Sequence, residues 1–62
     1  MSSIDVVNMD ILMIMCINRF KNEKNEILSS KKIDKCYVAI SNEYSRNGFE
    51  SAKQYVLTAI LN

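Results

Sequence analysis

The stretch ILMIMCI, Ile11 to Ile17, holds no polar side chain except the Cys16 thiol, and its reading decides the fold. Periodicity alone does not separate strand from helix over so short a run. Its methionines and leucine favour the helix. A membrane span would need about 20 mostly apolar residues, whereas Asp5, Asn8 and Asp10 precede this run and Asn18 and Arg19 follow it. The run therefore reads as the middle of a helix from about Ser3 to Phe20. Ser3 is the expected N-cap, Asp5 suits the positive end of the helix dipole, and Arg19 and Lys21 suit the negative end. Ile4, Val7, Ile11 and Ile14 form one row at spacings of three and four. Val6, Met9, Met13, Cys16 and Phe20 form a second row, and Leu12, Met15 and Ile17 fill between them. A helix apolar nearly all round is expected to be buried on nearly all sides.

The rest of the chain has no proline and one glycine, Gly48. That glycine and the polar stretch from Lys21 to Ser30 are the only breaks, which predicts an all-α, three-helix small domain. The second helix is expected at about residues 30–47, capped by Ser29. Leu28 and Ile33 are spaced to form a hydrophobic staple across that cap, while Lys31 and Lys32 oppose the helix dipole. Ile33, Cys36, Tyr37, Ile40 and Tyr44 make its inward stripe, and Gly48 is the expected left-handed residue past its end. The third helix is expected at about residues 49–61. Phe49, Ala52, Tyr55, Val56, Ala59 and Ile60 form its main stripe, with Leu57 and Leu61 to one side.

A chain of 62 residues forms one domain and buries only about 60% of its unfolded surface, so a staple or a partner is expected. No histidine is present, and the two cysteines, Cys16 and Cys36, do not make a zinc site. Asp5 and Asp10 stand where a secretory leader would carry Lys or Arg. Both thiols are therefore expected free in the cytoplasm, a Cys16–Cys36 bridge being the alternative. The formal net charge of +1 gives no global field for nucleic acid or membrane. A mildly basic middle runs from Arg19 to Lys35, in which Lys31, Lys32 and Lys35 are candidate anion contacts.

Catalytic chemistry is poorly supplied. The commonest general base near neutral pH is missing. Each cysteine lies in an apolar stripe, which raises a thiol pKa and makes it a poor nucleophile. One glycine leaves no glycine-rich phosphate loop. The helix after Gly48 offers Lys53 and Gln54 and then turns apolar, a poor recognition helix for DNA. No enzyme activity, cofactor or metal is expected.

From Leu28 the chain reads L-S-S-K-K-I, followed by Cys36, Val38, Ile40, Glu43, Tyr55, Leu57, Ile60 and Leu61. Over roughly residues 11–61 this order resembles the small enterobacterial YmgB/AriR-type biofilm-development proteins, with a one-residue shift between Lys32 and Glu43. The resemblance implies a non-enzymatic, dimeric regulator of biofilm or acid-stress control, acting through protein contacts and in some settings through DNA.

The combined expectation is a helical homodimer acting as a regulatory or adaptor module by protein–protein contact. Val7, Ile11, Ile14, Met15, Leu57 and Leu61 are the expected self-association residues. Replacing Ile14 by Asp is expected to give monomer or unfolded chain. The alternatives are a nucleic-acid-binding transcriptional regulator using Lys31, Lys32 and Lys35, and a subunit of a larger secretion or phage assembly.

Overall fold

Ser2, not Ser3, caps the first helix. In the computed structural model, which describes residues 2–61, the Ser2 side chain accepts from the Asp5 backbone N–H at 3.3 Å, and Ser3 is already helical. This helix, α1, covers Ser3–Lys24. It runs past the expected end at Phe20 because Lys21, Asn22, Glu23 and Lys24 are polar without being helix breakers. Asn25 stops it by taking a left-handed conformation (φ 51°, ψ 38°), which asparagine tolerates better than most residues. The backbone N–H groups of Asn25 and Glu26 both return to the Phe20 carbonyl, and Lys21 Nζ donates to Asn25 Oδ1 at 3.1 Å.

The second helical stretch, Ser30–Thr58, is two helices joined at Gly48. They are α2, residues 30–47, and α3, residues 49–58. Ser29 caps α2, its side chain accepting from the Lys32 N–H at 3.2 Å. Leu28, just outside the cap, is buried, and Ile33 packs against the core. Lys32 avoids the unfavourable end of the dipole by turning back. Its Nζ sits 2.8 Å from Glu26 Oε2 and 4.6 Å above the centre of the Phe20 ring.

Gly48 has φ 89° and ψ 179°. The positive φ agrees with expectation, but the extended ψ does not belong to a left-handed helix cap. This region of backbone space is essentially reserved for glycine, and it lets α3 begin at the next residue in a new direction. Glu43 spans the bend: its Oε2 accepts from Asn47 Nδ2 at 2.7 Å and from Ser51 Oγ at 2.7 Å. The α3 helix ends at Thr58, short of the expected Leu61. The Thr58 hydroxyl donates to the Gln54 carbonyl at 2.7 Å, and the chain then turns so that Ile60 and Leu61 lie against the core.

The core draws on every element. Met9, Leu12, Cys16 and Phe20 come from α1, Leu28 from the connection, Cys36 and Ile40 from α2, and Ala52 and Val56 from α3. Leu12, Cys16, Ile40, Ala52 and Val56 are fully inaccessible. Burying one such large aliphatic side chain contributes about 1.5–3 kcal/mol, so this set carries the stability of a domain with so little interior.

Candidate interaction surface

One helix cannot be covered on all sides by two neighbours of this size. The inner row of α1 (Met9, Leu12, Cys16, Phe20) fills the core, and the row on the opposite side of the helix stays outside. Ile4 is 68% exposed, Val7 54%, Ile11 41% and Ile14 59%. Within the single chain α2 and α3 cover one face of α1 only, and the burial expected on its remaining sides is not supplied by this chain. The four apolar residues of this outer row, Ile4, Val7, Ile11 and Ile14, are all β-branched, stiff in a helix and fixed in shape. Val6 and Ile17 extend the apolar surface on one flank, both exposed.

Of the residues singled out from the sequence, Val7, Ile11 and Ile14 share this face. Met15 and Leu61 are partly buried against the core, and Leu57 is exposed on α3, a different helix. Ile4 belongs with the outer set, and its spacing from Val7 was the available signal. Val38, exposed on the outer side of α2, stands apart from it.

The basic turn at the start of α2 is a second surface feature. Ser29, Lys31, Lys32 and Lys35 line a shallow groove there. Lys31 and Lys35 are exposed, but Lys32 is held by Glu26 and Phe20. A third feature is the groove lined by Asp5, Ser41, Tyr44 and Ser45. Its floor is a hydrogen-bonded set in which Asp5 and Tyr44 hold each other, Asn8 Nδ2 donating to the Tyr44 oxygen at 2.9 Å.

The two thiols face each other inside the core. Burial, and then the neighbouring Cys36, push the Cys16 thiol up to about 12. A thiol so protonated and inaccessible is not a nucleophile at neutral pH. Among the described residues no group of Cys, Asp and Glu converges to hold a metal ion, and no helix is long and apolar enough to cross a membrane. Comparison of the chain with protein-family models, with curated proteins and with solved structures finds no match.

Proposed function

We propose that this chain is a small non-enzymatic regulatory or adaptor protein that works by protein–protein contact and self-associates through the outer face of α1. The observation that carries the reading is the exposure of Ile4, Val7, Ile11 and Ile14 in one row. Contiguous apolar surface of this kind on a small domain marks an interaction site, whereas scattered exposed side chains do not. The buried, unbridged thiols of Cys16 and Cys36 support a reducing, cytoplasmic setting. The same role is what the resemblance to the YmgB/AriR-type proteins implies.

The test uses the wild-type chain and Ile11→Asp as paired baits in the native cell extract, with sedimentation velocity on both. The reading requires a concentration-dependent mass and a specific protein retained by the wild type and lost by the variant. A wild type that stays monomeric and retains nothing the variant does not also retain would discard it. The lysine groove supports a second reading, nucleic-acid contact. With Lys32 engaged, Lys31 and Lys35 remain for it, and a duplex-DNA shift that weakens steeply with salt is its signature.

A further inference from the structure

We infer that the occupant of the α1 face is a second copy of the same helix, lying antiparallel, with Ile4 against Ile14 of the other copy and Val7 against its Ile11. This inference rests on the self-association reading and adds the register. The row Ile4, Val7, Ile11, Ile14 has spacings of three, four and three, which is the a/d pattern of a coiled-coil seam. The spacing reads the same in both directions. A twofold axis passing beside Met9, midway between Val7 and Ile11, therefore superimposes the row on its own inverse. The interface is isologous, as closed dimers require. Four apolar layers result, and no polar side chain enters them.

Charge selects this orientation over the parallel one. The next seam positions after Ile14 are Asn18 and Lys21. A parallel pair would set Lys21 against Lys21 of the other copy, whereas in the antiparallel register both residues lie beyond the first turn of the other helix and the two lysines are at opposite ends of the seam. The first half of α1 carries Asp5 and Asp10 and no base, and its last turns carry Arg19, Lys21 and Lys24 against Glu23. Inversion places acidic starts nearer basic ends and runs the two helix dipoles head to tail. The core side of α1 faces away from the seam, so α2 and α3 do not obstruct it.

The same register makes one unfavourable contact. Asp10 sits on the flank of the seam and faces Asp10 of the other copy close to the twofold axis. In a parallel pair it would face Met15 instead. A stable interface buries about 800 Å² per partner, about a fifth of the 4181 Å² this chain exposes. Four aliphatic side chains already partly covered by their own helix supply less, so the dimer is expected at micromolar rather than nanomolar concentration.

Sedimentation equilibrium on the full chain tests this, with circular dichroism on each variant. Ile14→Asp is expected to be monomeric and helical; Val7→Asp serves the same purpose if that variant does not fold. Val38→Asp, outside the seam, is expected to dimerise as the wild type does. Asp10→Asn is expected to tighten the dimer roughly two- to fivefold by removing a like-charge pair. A mixture of Ile4→Cys and Ile14→Cys chains, oxidised with glutathione disulfide, is expected to give the mixed disulfide in excess over either homodisulfide. A wild-type chain monomeric at hundreds of micromolar overturns both the register and the self-association reading. A dimer that forms homodisulfides and ignores Asp10→Asn overturns the register alone.

Discussion

The Tyr44 hydroxyl donates to Asp5 Oδ1 at 2.5 Å, tying the first turn of α1 to α2 across 39 residues of sequence. Asp5 also accepts from Ser2 Oγ at 2.8 Å, so one carboxylate serves both the helix cap and the tertiary contact. The Tyr44 hydrogen bond, and then that of Ser2, hold the Asp5 carboxyl below its ordinary value, while the bond to Asp5 pushes the Tyr44 phenol up.

Replacing Tyr44 by Phe removes the tertiary bond while keeping the ring. The sign of the pH effect follows from the lowered carboxyl. Its stabilisation is present above the unfolded-state value of Asp5 and is lost as pH falls through the lower folded-state value. The variant is expected to be modestly less stable than wild type at neutral pH and to converge on it in acid. Urea midpoints of both proteins between neutral pH and about pH 2 check this. A constant gap at every pH would show that the carboxylate is not the partner that matters.

Gly48 makes a separate prediction, because its conformation rather than its surroundings excludes other residues. A Cβ there would meet nothing within 4 Å, yet φ is 89° and ψ 179°. Gly48→Ala is expected to cost about 1–3 kcal/mol, a fall in Tm of several degrees for a domain this small. A chemically synthesised chain with D-alanine at position 48 is expected to recover most of that loss, since the mirror-image residue finds this backbone region ordinary. Equal destabilisation by both alanines would place the cost in packing instead.

Glu43 holds the same bend through Asn47 and Ser51. The Ser51 hydrogen bond, and then that of Asn47, keep its carboxyl below the ordinary value. This contribution likewise exists above the unfolded-state value and fades as pH drops through the folded one. Glu43→Gln is expected to loosen α3 before α2. Faster amide hydrogen exchange confined to residues 49–58 at neutral pH is the readout, and uniform acceleration along the chain would contradict it.

Some of this was legible in the sequence and some was not, for physical reasons. Ser29, Leu28 and Ile33 announce a helix start because a cap and its staple are local. Gly48 announces a break for the same reason. Helix 1 was readable as a helix, but not which row faces inward, since both rows have the same period. The decision belongs to α2 and α3, whose stripes fit the long, flexible Met9 and Leu12 and the ring of Phe20. Lys21 to Lys24 are polar, and polarity alone does not distinguish a solvated last turn of α1 from a loop. The Asp5–Tyr44 and Glu43–Ser51 bonds carry no periodic signal at all.

The two rows of α1 also give opposite mutational responses. Leu12 is fully inaccessible and Ile14 is 59% exposed. Leu12→Ala is expected to destabilise the fold by about 2–5 kcal/mol, through lost transfer energy and the cavity left behind. Ile14→Ala is expected to leave the unfolding of the dilute monomer nearly unchanged. Chemical denaturation at tens of nanomolar, well below the concentration at which the dimer is expected, distinguishes them, and comparable losses at both positions would mean that the outer row is covered within a single chain.

The buried thiols turn the same stability into a rate. Cys16 and Cys36 are 0% and 8% exposed, and burial, reinforced by Cys36, raises the Cys16 thiol to about 12. At about pH 8 a disulfide reagent such as dithionitrobenzoate needs the thiolate and access to it; the folded core withholds access to both sulfurs and, at Cys16, the thiolate as well. Labelling is expected to be slow in native buffer, prompt for both cysteines in urea, and faster in Leu12→Ala by the factor that the variant raises the open population. One rapid equivalent of colour from the native wild type would mean that a thiol reaches solvent without unfolding, and that the contact between α1 and α2 at Cys16 and Cys36 opens on its own.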